Sequence, residues 1–477
     1  MKCLNAGILI AALLGFVVPV VAKAQKPTIE SLVSDQAAAS VALAQEIWDL
    51  AELGYQEANS SAAMQRYLQA AGFEVEAGVA EIPTAFVAQF GAGGPTIGIL
   101  AEFDALPGLS QEAVAYRKPR IEGAPGHACG HHLFGSASAA AGVALSQWIQ
   151  TQGLSVTLKI IGTPAEEGGS GKVYLARAGI FDDVDVMLHW HPGSVNAASP
   201  YTTTANKSAR FTFRGRAAHA AAAPEQGRSA LDGVEAMNFM VNMLREHVPQ
   251  DSRIHYVITD GGDAPNIVPE QAQLYYYVRH PQLESLSGLF DRVLNAARAA
   301  ARGTDTQVDV EVMHGNYPIL PNTTLAQLVY ENMIQFGGIT YTEEEQTFAE
   351  NIQTTLMAAP AGLGSEREIA PFQFRQTMGS TDVGDVSWLV PTVGFSTATW
   401  VPGTPAHSWQ AVAAGGMSIG HKGMQLATHV LAKTAADLIG DPQKIHAARK
   451  EFLDARGDNF RYQALLGDRQ PPLDYRR

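Results

Sequence analysis

The chain has 477 residues, 47 acidic and 33 basic, with a formal charge of −14. That balance disfavours nucleic acid and anionic lipid as partners and favours solubility. Only 2 cysteines occur, Cys3 and Cys129, and the length exceeds one typical domain, so two domains are expected.

In chain order, the first element is a leader. "MKCLNAGILIAALLGFVVPVVAKAQ" sets Lys2 before an apolar run from Ala6 to Val21, then Ala22-Lys23-Ala24. This is the charged, apolar, small-residue order of a secretory signal peptide, and the run is short for a spanning helix. Cleavage after Ala24 would export the chain to the periplasm or beyond and leave no membrane anchor. It would also leave Cys129 without an intramolecular disulfide partner.

Residues 28–72 carry apolar positions at helical spacing around "VALAQEIWDLAELGY" and "AAMQRYLQAAGF". "TAFVAQF" and "TIGILAEFD" flank the turn "GAGGP", which predicts a hairpin or neighbouring strands. "ASAAAGVALSQWIQ" predicts a helix, and "SVTLKIIGTP" and "VDVMLHW" predict buried strands. The alternation to Pro200 predicts a largely parallel α/β core. From residue 207 to 316 the order becomes β-α-β-β-α-β, an inserted ferredoxin-like α+β module. The core resumes after Pro321 and ends in a helix through "AGGMSIGHKGMQLATHVLAKTAADLI", while residues 340–381 show little pattern. The expected division is a leader over 1–24, a core over 25–206 and 317–477, and an insert over 207–316.

Four short segments carry chemistry. "GHACGHHLFG" brings Cys129 and His131 together as C-G-H, a spacing that puts both on one side of an extended segment. "TPAEEGGSG" ends a strand with Glu166 and Glu167, which would point apart. "HWHPG" adds His189 and His191, and "GTPAHSW" adds His407. Thiolate, imidazole and carboxylate form the ligand set of zinc, manganese or iron sites. Strand carboxyl ends are where open α/β sheets gather ligands.

These segments, with "EFDALPGLSQ", "FDDVDVMLHWHPGSVN", "GRAAHAAAAPEQGRSALDG", "NIVPE" and "STDVGDVSW", run in one family's order. The chain resembles the dinuclear metallo-amidohydrolases that include aminoacylases, hippurate hydrolases and carboxypeptidase G. Within them it resembles the family of B-type p-aminobenzoyl-glutamate hydrolase subunits, over nearly all of the mature chain.

The resemblance implies a metallo-exopeptidase-like α/β catalytic domain with a central mixed sheet and an inserted ferredoxin-like lid and dimerisation domain. It implies a pair of divalent cations, manganese or zinc, held by Cys129, His131, Glu167, His191 and His407. Glu166 would be the general base, Asp104 would orient a ligand, and His219 would stabilise the oxyanion, across a dimer if need be. Asn266 and Arg279 would hold the substrate carboxylate. Hippurate-hydrolase relatives place one ligand three residues before the proline, here His189. The p-aminobenzoyl-glutamate relatives place it directly before, at His191, which is the expected ligand.

One departure is His132, where relatives commonly carry Asp or Asn. The implied activity is hydrolysis of an N-acyl amino acid, foremost p-aminobenzoyl-glutamate in folate catabolism. The alternative is a dipeptidase or general N-acyl-amino-acid deacylase. The implied assembly is a homodimer, with a second related subunit as a further partner.

His127 reads as a turn histidine near the mouth of the site, with metal ligation as the alternative. His247, His255, His280 and His314 read as surface or packing residues, and Tyr275-Tyr276-Tyr277 as strand packing or an interface. Asp382 and Asp385 read as either ligand-orienting residues or helix caps.

Overall fold

The computed structural model describes residues 26–357 and 361–476. The leader read over residues 1–24, with Cys3, lies outside the described residues. Twelve strands follow in order: β1 (Glu74–Ala77), β2 (Phe86–Phe90), β3 (Thr96–Ala101), β4 (Thr157–Gly162), β5 (Val186–Gly193), β6 (Tyr201–Thr202), β7 (Ala205–Arg214), β8 (Arg253–Asp260), β9 (Gln271–His280), β10 (Gln307–Asn316), β11 (Arg375–Gln376) and β12 (Thr392–Ala398).

The main sheet has the order β1-β2-β4-β3-β5-β12. Strands β3, β4, β5 and β12 are mutually parallel, while β1 and β2 run antiparallel. The sheet is therefore mixed. The expected β2–β3 hairpin does not form, because β4 lies between those strands. The apolar run Leu158, Ile160 and Ile161 needs cover on both faces, and a central place supplies it. The helix His131–Gln152 packs on β3, β4 and β5. Its "SASAAAG" run is wholly buried, and small side chains permit that close approach.

The second sheet has the order β10-β7-β9-β8, antiparallel throughout, as a ferredoxin-like order requires. Helices Ala230–Leu244 and Leu283–Gly303 cover it. In the latter, Leu286, Leu289, Phe290, Val293 and Ala297 fall at helical spacing and are buried. Phe211, Phe213, Leu274 and Tyr276 complete a core separate from that of the main sheet.

The long helix Ser418–Gly440 is where the sequence places it, but the chain continues through a further helix, Pro442–Arg456, and a looped tail over residues 457–476. Within the unpatterned stretch, a helix Glu343–Gln353 starts at a Thr342–Glu345 capping box, and β11 pairs with β6 in parallel. Two-residue strands are too short to leave a periodicity. Among the described residues, no helix is long and apolar enough to cross a membrane.

Candidate active site and metal centre

Parallel strands align their carboxyl ends, so β3, β4, β5 and β12 deliver their following residues to one edge. Beyond β3 come Glu102 and Asp104, beyond β4 Glu166 and Glu167, within the end of β5 His189 and His191, and well after β12 His407. The C-G-H segment is not extended. Gly130 sits at φ 77°, which turns the chain into the helix beginning at His131 and still brings the two side chains together. Glu166 and Glu167 lie not on a strand but in a tight turn between Ala165 (φ 57°) and Ser170 (φ 58°). Glu167 leaves helical geometry there (φ −71°, ψ 69°), so the two carboxylates reach different partners.

The donor atoms form overlapping groups. Cys129, His131 and His191 make one, Cys129, Glu167 and His407 a second, and Glu102, His131 and Glu166 a third, each within 4.8 Å. Cys129 Sγ is 3.5 Å from His191 Nε2. His407 Nε2 is 3.0 Å from Glu167 Oε1, and His131 Nε2 is 3.1 Å from Glu102 Oε2. Glu102 Oε2, Glu167 Oε1 and His131 Nε2 are buried, and at these short separations none makes a well-aligned hydrogen bond. Poorly satisfied buried polar atoms are costly, and so many converging lone pairs fit divalent cations. His191 belongs to these groups and His189 to none. The His189 ring instead packs where Gly394 of β12 leaves no room for a side chain.

The surrounding residues fix these donors. Asp104 Oδ1 lies 2.8 Å from His131 Nδ1, and its Oδ2 accepts the Glu167 N–H at 2.9 Å. One buried carboxylate thus orients two donors, a role common around metal ligands. Burial, with Glu102 and Glu167 alongside, pushes the Glu166 carboxyl well above the usual carboxylate range. Burial also opposes charge on Glu167, yet the neighbouring His407 and His131 hold it below that range. Burial and Glu167 push the Cys129 thiol up, so a bound cation would be needed to keep it as thiolate. Lys172, wholly buried, donates to Asp382 Oδ1 at 2.7 Å and pairs with Glu102 Oε1 at 2.7 Å. Burial opposes its charge, but Asp382 and Glu102 hold it protonated.

A cleft of about 720 Å³ opens over these groups and is walled by both sheets. Asn206, Tyr277, Arg279 and His314 come from the second sheet, and Arg375 and Ser380 from the segment around β11. Arg279 donates to Ser380 Oγ at 3.0 Å, and its Nε is buried without a partner. Among the described residues, arginine ion pairs form at Arg66, Arg120, Arg214, Arg228, Arg367 and Arg469, and at neither Arg279 nor Arg375. The cleft therefore offers two uncompensated cations to an anionic ligand.

Comparison with known proteins agrees with this architecture. Residues 201–305 match the M20 peptidase dimerisation domain. Over 436 residues the chain is 39% identical to the B-type subunit of p-aminobenzoyl-glutamate hydrolase from Escherichia coli (strain K12), covering 86% of this chain and 91% of that one. The chain belongs to the family of B-type p-aminobenzoyl-glutamate hydrolase subunits. It is also 32% identical over 427 residues to a mouse Xaa-Arg dipeptidase, covering 86% and 88% of the two chains. A dinuclear metal-binding M20 peptidase from Bacillus subtilis shares the fold, with TM-score 0.58 at 16% identity over 85% of this chain and 99% of that one. The protein is a metal-dependent hydrolase of the M20 family, built on the α/β fold with the dimerisation module.

Within this M20 hydrolase, the remaining residues fall into place unevenly. His219 and Asn266 are exposed on adjoining loops of the second sheet, linked by the Ala220 N–H to the Asn266 carbonyl at 3.0 Å, and neither lines the cleft. His132 turns away from the site to Gly415 O at 3.0 Å. His127 is not at the mouth but buried against Ile47 O at 3.0 Å. Tyr276 packs in the core as expected of a strand tyrosine, but Tyr277 lines the cleft. Of the histidines read as surface or packing residues, His314 is buried, and it packs in the cleft wall beside Ser170. Asp382 holds Lys172, and Asp385 accepts from the Tyr317 N–H and Tyr462 hydroxyl.

Sequence reasoning missed Glu102, Lys172, His314 and Arg375. Glu102 stands two residues before Asp104, a spacing that could have found it. Lys172 and Arg375 carry no local signal.

Proposed function

We propose that this chain hydrolyses p-aminobenzoyl-glutamate to p-aminobenzoate and glutamate. The observation that carries the proposal is the pair of uncompensated arginines, Arg279 and Arg375, in the cleft beside the donor groups. Glutamate in this substrate presents two carboxylates, and a guanidinium can clamp each with parallel hydrogen bonds. The likeness to the Escherichia coli hydrolase supports the same substrate.

Cys129, His131, Glu167, His191 and His407 would hold two divalent cations, manganese or zinc, which when bound supply Lewis acidity and lower the pKa of water. Glu166 takes a proton from the attacking water and passes it to the leaving α-amino nitrogen of glutamate. Asp104 keeps His131 and Glu167 in register.

His219 reaches no cleft within its own chain, so its oxyanion role requires a partner subunit. The edge strand β8 and helix Ala230–Leu244 support a homodimer, because Val257 is 58% and Phe239 68% exposed there. A second related subunit would use the same face. On the strength of the leader sequence, we place the reaction outside the cytoplasm.

The test is release of p-aminobenzoate by purified metal-loaded protein, beside p-aminobenzoyl-alanine and an Xaa-Arg dipeptide. Preference for the glutamate conjugate is expected. Arg279→Met and Arg375→Met should each raise its KM roughly 10- to 100-fold, the scale of a charge-assisted hydrogen bond. Faster cleavage of the Xaa-Arg dipeptide would replace this substrate with the dipeptidase reading.

A further inference from the structure

The tail over residues 457–476 does more than cap the fold. Arg469 donates to Val312 O at 2.8 Å and pairs with Glu311 at 2.8 Å, both on β10. Arg177 donates to the carbonyls of Gly467 (2.9 Å) and Arg469 (2.7 Å). Leu465 packs on the second core, and Leu466 and Tyr475 on the first. The tail thus crosses from the second sheet to the main one, where Tyr475 and Arg476 reach the Glu166–Glu167 turn.

There it makes directed contacts. The Tyr475 hydroxyl donates to Glu167 O at 2.9 Å, and Arg476 Nη2 donates to the same carbonyl at 2.6 Å. The Tyr475 ring meets Tyr55 edge-on, with centroids 5.6 Å apart. Tyr55 in turn donates to Gly169 O at 2.7 Å. The Glu167 peptide is therefore held at both ends: its N–H by Asp104 and its carbonyl by the tail. The turn needs such restraint, because Ala165 and Ser170 are non-glycine residues in the left-handed region, a conformation held only by surrounding structure.

We infer that Tyr475 and Arg476 are positioning residues for the hydrolytic site, fixing the Glu167 carbonyl and through it the directions of the Glu166 and Glu167 carboxylates. The inference rests on the roles proposed for those two glutamates. Neither tail residue touches substrate. Loss of their hydrogen bonds leaves the turn free to relax, which misdirects one metal donor and the general base together.

The experiment compares the full-length, untagged parent with Tyr475→Phe, Arg476→Ala, the double variant and the exposed-site control Asp474→Ala. Tyr475→Phe keeps the ring on Tyr55 and removes only the donor. Three readouts are taken: kcat and KM for p-aminobenzoyl-glutamate, Zn²⁺ affinity by chelator competition, and Tm. The double variant should lose roughly 10- to 100-fold in metal affinity, the usual scale for residues that orient ligands. Its kcat should fall while KM changes less than about twofold and Tm stays close to the parent. Each single variant should fall between, and Asp474→Ala should match the parent.

Parental metal affinity in the double variant would overturn the inference. So would a loss shared by Asp474→Ala, or one that follows Tm. A parent inactive on p-aminobenzoyl-glutamate would count against the proposed substrate, and the affinity arm would still decide the role of the tail.

Discussion

Replacing Lys172 with methionine tests the electrostatics beneath the site. The ammonium is wholly buried and lies 2.7 Å from both Glu102 and Asp382. Methionine is unbranched and of similar length, so it fills much of the space without the charge. The main-chain bond from the residue's N–H to Asp382 Oδ2, at 2.9 Å, survives the change. What is lost is the cation between two buried carboxylates, with Glu166 close by. Stranding a buried charge costs about 3–5 kcal/mol. At about 2–4 °C per kcal/mol for large domains, Tm should fall by roughly 6–20 °C. The assay is thermal unfolding at pH 5 and pH 8, metal-loaded and chelated. The loss should be larger at pH 8, because the stranded carboxylates can take up protons at pH 5. Adding Asp382→Asn should recover part of it. A single variant melting within about 2 °C of the parent at pH 8 would refute the reasoning.

Two further predictions concern groups elsewhere in the network. Burial raises Asp385 from 3.8 to about 7, so the folded chain holds a proton there that the unfolded chain releases. The resulting stability is full below about pH 4 and is lost as pH rises to about 7, with an upper bound of roughly 4 kcal/mol. Asp385→Asn should therefore gain Tm relative to the parent between pH 5 and pH 8, and a constant difference would contradict this. Cys129 should resist iodoacetamide in the metal-loaded protein and label after chelation, faster at pH 9 than at pH 7 because its thiol is raised. Equal labelling with and without metal would remove it from the ligand set.

The sequence exposes the site better than it exposes what surrounds the site. C-G-H, the paired glutamates and the two late histidines were legible because they are donor-type side chains, most of them at strand ends. Their local geometry departs from what the sequence spacing implies. Gly130 turns the chain where an extended segment was expected, and a strained turn, not a strand, separates Glu166 from Glu167. Strand identity was also legible, since β4 and β5 are apolar runs, but strand order was not. The β2–β3 neighbours were misjudged because a short Gly-rich link looks like a hairpin turn, while pairing is decided by which strand best fills the gap, here β4. Lys172, Arg375 and the tail pair Tyr475 and Arg476 were invisible because their partners lie far off in sequence. Arg476, for instance, meets Glu167 across 309 positions.

The most direct test of the central claim is p-aminobenzoate release by metal-loaded Glu166→Gln protein, with its metal content measured in the same sample. The substitution preserves size and removes the base. The expected result is parental metal content with release reduced roughly 10²- to 10⁴-fold, the range for a lost general acid–base. Release at the parental rate, with metal content unchanged, would contradict the assignment of Glu166 and the mechanism built on it.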